Sequence, residues 1–124
     1  MPASVIDASV VGAWCFQEDR APEALSLMLD SDLHAPHLMA FELASIARKK
    51  ARLQPERAPE FRDGLATAMA TSFVWVDVDH LAVLDLALAR GVTTYDASYL
   101  YLSQQLAIPL LTFDRRLAQA AQSL

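Results

Sequence analysis

The sequence predicts an α/β layer fold with a mainly parallel sheet of four or five strands. Three observations predict it. Short apolar stretches, several rich in β-branched residues, alternate with longer segments of helical character, the pattern of strands joined through helices. Hydrophobic residues make up 54 % of the chain against 20 % charged, enough for a real core and too apolar for disorder. The length of 124 residues suits one compact domain, 1–124, rather than two.

The elements follow in order. The first strand is Ala3-Ser4-Val5-Ile6-Asp7, and a helix-forming run from Ala8 to about Phe16 begins at once. A helix over 22–29 opens on Pro22, which a first helical turn tolerates. Leu33-His34-Ala35 is a brief strand stopped by Pro36. Helices are predicted over 38–53 and 55–70, the second opening on Pro55. Phe73-Val74-Trp75-Val76 has the β-branched and aromatic content of a strand. A helix over 81–90 stops at Gly91, a left-handed helix end. A helix over 94–106, a strand over 110–113 between Pro109 and Asp114, and a helix over 115–122 complete the chain.

Several chemistries are excluded. The three glycines, Gly12, Gly64 and Gly91, are dispersed and build neither a P-loop nor a dinucleotide-binding turn. Cys15 stands alone, so no internal disulfide forms. His34, His37 and His80 are too scattered for a zinc spacing or a triad. No nucleophile elbow is present. No apolar run reaches the roughly 18–20 residues of a membrane span, and Met1-Pro2-Ala3-Ser4-Val5 lacks the basic start of a signal peptide. The expectation is a soluble, cytoplasmic domain with no membrane partner.

Most of the 15 acids read as solvated surface, but four sit differently. Asp7 and Asp114 each end an apolar strand and open a helix. Such residues are good helix N-caps. In a parallel sheet they also share the carboxyl edge, where open α/β sheets bind ligands. Asp96 falls at the third position of its helix if Thr93 is the N-cap, a place favoured by the helix dipole. Glu42 has Leu38 and Ile46 at i−4 and i+4 and no basic residue one turn away, so it rides beside an apolar stripe without a partner. Two carboxylates about 4 Å apart repel by ~4 kcal/mol at an effective dielectric of 20. A cluster of them keeps a proton or recruits a cation. Oxygen ligands select Mg²⁺ or Mn²⁺ over zinc, and such ions suit attack of water on a phosphodiester.

Val5-Ile6-Asp7-Ala8-Ser9-Val10, Phe41-Glu42-Leu43-Ala44, Tyr95-Asp96-Ala97-Ser98-Tyr99-Leu100 and Leu110-Leu111-Thr112-Phe113-Asp114-Arg115-Arg116-Leu117 occur in the order seen in PIN-domain nucleases. The chain resembles that family over nearly its whole length, and within it the small VapC-type toxin ribonucleases. The resemblance implies a Rossmann-like three-layer α/β/α sandwich and a Mg²⁺- or Mn²⁺-dependent endoribonuclease of a toxin–antitoxin pair. It implies an RNA substrate, a cognate antitoxin and frequent homodimerisation. Asp7, Glu42, Asp96 and Asp114 match the family's acidic quartet as metal ligands and water activators. Thr112 matches its supporting hydroxyl, with Ser9 a further candidate for that work. The family commonly adds a last strand after the helix that follows the fourth acid, whereas this sequence ends at Ala121-Gln122-Ser123-Leu124.

An acidic protein of net charge −5 needs locally clustered cations to hold RNA. Arg48, Lys49, Lys50, Arg52, Arg57 and Arg62 supply six of the ten positive charges within one helical hairpin, and Arg115-Arg116 follow Asp114. They read as a solvated face or as a track for an RNA backbone. Trp14, Phe16 and Trp75 could stack on bases but have core surroundings, and Cys15 reads as a buried apolar residue. The stretch Val10-Val11-Gly12-Ala13-Trp14 and residues 25–29 offer an apolar surface for a dimer or antitoxin. Rival readings are a PIN nuclease outside a toxin pair, a catalytically silent interaction domain, and a receiver-type phosphoacceptor. The last usually wants a lysine ending its final strand, and 109–114 has none.

Overall fold

The computed structural model describes residues 2–123. Four parallel strands, β1 (Ala3–Ile6), β2 (Asp32–Pro36), β3 (Val74–Val76) and β4 (Leu110–Leu111), form one sheet in the order β3-β2-β1-β4. Val5 faces His34 on one side and Leu110 on the other, which makes β1 a central strand. Burial on both faces explains why it reads as a continuous apolar run, with Val5 and Ile6 fully enclosed.

Seven helices cover the sheet: α1 (Ala8–Cys15), α2 (Ala21–Leu29), α3 (Leu38–Leu53), α4 (Ala58–Met69), α5 (His80–Arg90), α6 (Thr94–Leu106) and α7 (Arg115–Gln122). Helices α1 to α4 pack on one another, and α6 packs on α5, α7, β1 and β2. The result is the three-layer sandwich expected. Gly64 lets α4 approach the end of α1. A Cβ there would stand 2.4 Å from the Cys15 carbonyl oxygen, a collision with backbone. Gly91 closes α5 in the left-handed conformation at φ 66°.

The structure corrects several boundaries. Asp7 and Phe16 cap α1 instead of lying inside β1 and the helix. The second strand is longer than expected and includes Pro36. Phe73 precedes β3 as a buried side chain, and Thr112 and Phe113 lie beyond the two-residue β4. The helix expected over 55–70 is a 3₁₀ turn, Pro55–Arg57, followed by α4, because Pro59 starts a new first turn. His80 belongs to α5, capped by Asp79. The Val10-Val11-Gly12-Ala13-Trp14 stretch is not an interaction surface: Val10, Val11, Gly12 and Ala13 are buried against α2, α3 and α4. A helix apolar all round belongs inside. Trp14 and Trp75 pack on the core and Phe16 and Cys15 lie within it. No strand follows α7 among the described residues.

Candidate active site

The junctions after β1 and β4 lie side by side because the two strands are neighbours. The Asp7 N–H donates to the Leu111 carbonyl at 3.2 Å, extending the ladder one step past β1. Asp7 then caps α1, its Oδ1 accepting from the Ser9 and Val10 N–H groups at 3.1 and 3.4 Å. Asp114 repeats the motif on α7, with Oδ1 accepting from Arg116 and Leu117 at 2.9 and 3.2 Å.

Two hydroxyls tie the junctions together. Ser9 Oγ donates to Asp7 Oδ1 at 2.6 Å and accepts from the Phe113 N–H at 2.9 Å. Thr112 Oγ1 donates to Asp7 Oδ2 at 2.5 Å and accepts from the Asp114 N–H at 3.0 Å. Asp7 is 5 % exposed, and its carboxylate has a hydroxyl on each oxygen. Both supporting hydroxyls named from the sequence are therefore in contact with it.

Glu42 projects from α3 half-buried and accepts a hydrogen bond from the Tyr99 hydroxyl of α6 at 2.5 Å. Asp96 occupies the third position of α6, with Thr93 as N-cap accepting from its N–H at 3.0 Å, as the sequence predicts. The four acids line one pocket of about 320 Å³ with Ser9, Ser45, Lys49 and Tyr99.

Their electrostatics are those of a crowded acidic site. Burial pushes the Asp7 carboxyl above its ordinary range, against the opposing pull of the Ser9 and Thr112 hydroxyls. Glu42 is raised by burial and by the charges of Asp7 and Asp96, while the Tyr99 bond works the other way. Asp96 is raised by burial and by Asp114, and the Arg116 guanidinium partly offsets it. Burial and Glu42 together keep the Tyr99 phenol protonated, so it remains a donor.

The donor set is all oxygen and drawn from four remote stretches, which fits a hard divalent cation. Among the described residues, no three of these carboxylates stand together as a ready-made cage for an ion. Tyr99 is the contact that sequence reasoning missed. Its signal was present, because Asp96 and Tyr99 stand one turn apart on α6. Lys49 likewise follows Glu42 by seven residues, two turns along one face of α3, and lines the pocket. The other predicted basic residues do not: Lys50 pairs with Glu18 at 2.6 Å and Arg57 with Glu60 at 2.9 Å.

The profile of the PIN domain matches residues 4–122. The chain is 34 % identical over 123 residues to Ribonuclease VapC3 of Pyrobaculum aerophilum, spanning 93 % of this chain and 92 % of that one. It is 30 % identical over 119 residues to Ribonuclease VapC9 of Mycobacterium tuberculosis, spanning 96 % and 91 %. The crystal structure of PAE2754 from Pyrobaculum aerophilum superposes with a TM-score of 0.82 at 27 % identity, over 98 % of this chain and 86 % of that one. On the matched length, the fold and these relatives, the chain belongs to the PIN domain family.

Proposed function

We propose that the protein is a Mg²⁺- or Mn²⁺-dependent endoribonuclease and the toxin of a toxin–antitoxin pair, with Asp7, Glu42, Asp96 and Asp114 as the metal ligands. The observation that carries the reading is the gathering of four carboxylates into one pocket in which three are pushed toward their protonated forms. The two VapC relatives, named as ribonucleases, support RNA as the substrate class.

A bound divalent ion supplies Lewis-acid stabilisation of the phosphate and lowers the pKa of attacking water. The protein's own groups do the positioning. Ser9 and Thr112 fix the orientation of the Asp7 carboxylate, and Tyr99 fixes Glu42. Asp96 and Asp114 sit on the first turn and the cap of their helices, so their placement is set by backbone. Lys49 brings a positive charge to the rim, where a phosphodiester must enter an otherwise acidic pocket. The resemblance to PIN-domain nucleases implies cleavage that leaves a 3′-hydroxyl and a 5′-phosphate.

Mn²⁺ titrated into wild type and Asp96→Asn, read by binding heat and by RNA cleavage, tests this reading. Wild type binds the ion and cuts RNA, and the variant loses both. Equal binding without cleavage in both proteins defeats it. Lys49→Ala weakens RNA binding and reduces the slope of log affinity against log salt by roughly one, the effect of a single phosphate contact.

The partners follow from the same reading. A basic side chain of an antitoxin fits the acidic pocket, and a complex with that pocket left open would contradict it. For a homodimer, the exposed apolar face on offer is the leucine stripe of α5. Leu81, Leu84 and Leu88 lie on one helical face, and Leu81 and Leu88 are 77 % and 75 % exposed. Sedimentation of wild type and Leu81→Lys/Leu88→Lys separates dimer from monomer.

A further inference from the structure

A second cleft, of about 600 Å³, opens along the same carboxyl edge of the sheet and is larger than the acidic pocket. It lies where β2 and β3 end, at Pro36 and Val76, whereas the acids gather beyond β1 and β4. With the order β3-β2-β1-β4, the two centres are about two strand spacings apart, roughly 10 Å. The starts of α3 and α6 serve both. Leu38 faces the cleft and Glu42 the acids, while Tyr95 and Ser98 face the cleft on either side of Asp96.

The two sites differ in chemistry. No lysine or arginine lines the cleft among the described residues, so it has no built-in charge for a phosphate. Its floor is apolar, with Leu38, Val76 and Val83. Its polar groups are the hydroxyls of Thr94 and Ser98, the His80 imidazole and the His37–Asp77 pair. His37 is held in place by stacking on Trp75, with rings at 17° and centroids 6.1 Å apart, and by Nε2 on the Asp77 carboxylate at 2.9 Å. Tyr95 presents its ring to the mouth and is 61 % exposed. An apolar lining, an aromatic ring and a few hydrogen-bonding groups beside a phosphate site suit an unstacked nucleobase.

We propose that this cleft receives a base of the RNA substrate adjoining the scissile phosphate, stacked on Tyr95. The inference rests on the ribonuclease reading and adds a site for sequence preference, since phosphate contacts position a nucleic acid and base contacts specify it.

Nucleosides test it directly. Adenosine, guanosine, cytidine and uridine are titrated separately into the metal-free full chain, followed by backbone amide shifts. At least one nucleoside moves the amides of 37–38, 77–78 and 94–98, and ribose alone moves none. Cleavage of a random-sequence RNA pool is compared in wild type, Tyr95→Ala and Thr94→Trp. Tyr95→Ala raises KM roughly tenfold, within the range for loss of one stacked base, and leaves kcat near the wild-type value. Thr94→Trp fills the cleft and changes the base preferred beside the cut. If no nucleoside moves these amides and both variants keep the wild-type KM and preference, the proposal fails. Dilution-dependent shifts of the same amides without nucleoside assign the cleft to a second copy and also overturn it. A wild type that cuts no RNA with Mn²⁺ defeats the ribonuclease reading instead, and the titration still decides whether the cleft binds a base.

Discussion

Asp7 and Asp79 make the same local structure and have different surroundings. Each follows a strand, caps a helix, and accepts from the N–H groups two and three residues on: Ser9 and Val10 for Asp7, Leu81 and Ala82 for Asp79. Asp79 is exposed, and its carboxylate accepts only the two cap bonds among the described residues. Asp7 is buried, holds two hydroxyls from separate junctions, and its charge reaches Glu42 across the pocket. A capping aspartate is therefore no signal of chemistry by itself. What separates the two is strand order, which sets β1 beside β4 and leaves β3 at the other end of the sheet.

The largest expected effect breaks this pair apart. Asp7→Asn lowers RNA cleavage by more than the roughly 10- to 100-fold that loss of an outer partner costs, while Asp79→Ala leaves the rate unchanged. A similar loss of activity in both variants would erase the distinction. Thr112→Val comes next. It removes the hydroxyl on Asp7 Oδ2 and lowers activity about 10- to 100-fold, with a matching loss of Mn²⁺ affinity in calorimetry.

Thermal melts of the metal-free protein sharpen the comparison further. Burial raises the Glu42 carboxyl, so its ionised form is disfavoured in the folded state and stability falls as pH rises through the folded pKa. Glu42→Gln therefore melts higher than wild type at pH 8. The gain disappears as pH drops below the ordinary glutamate value of 4.5, where wild type becomes protonated in both states. The smallest effect belongs to Asp79→Ala, which costs about 1 kcal/mol of stability through the lost cap. That cost is read from denaturant midpoints, and Asp79→Ser restores most of it.

Much of this was legible in the residues. The alternation of apolar and helical segments marks all four strands and the helices, because buried parallel strands cannot dilute their apolar runs with polar positions. Asp7 and Asp114 stand out at strand–helix junctions, Asp96 through Thr93, and Glu42 through its apolar neighbours. The rest depends on contacts across long separations. The Glu42–Tyr99 bond spans 57 residues and the Asp7–Thr112 bond 105, distances over which no periodicity speaks. Burial of Val10 and Val11 follows from three helices packing on α1, and an apolar segment looks the same whether a partner or the protein's own fold covers it. Pro55 opens only the 3₁₀ turn, and a second proline in a first turn, Pro59, belongs to α4.

The outermost strands of the sheet are three and two residues long. Each therefore presents only a stub of unpaired backbone to a neighbouring molecule, too little to template stacking of one chain on the next. Brevity of this kind, with Pro109 at the entry of β4, is how a small open sheet discourages edge-to-edge growth without a barrel's closure.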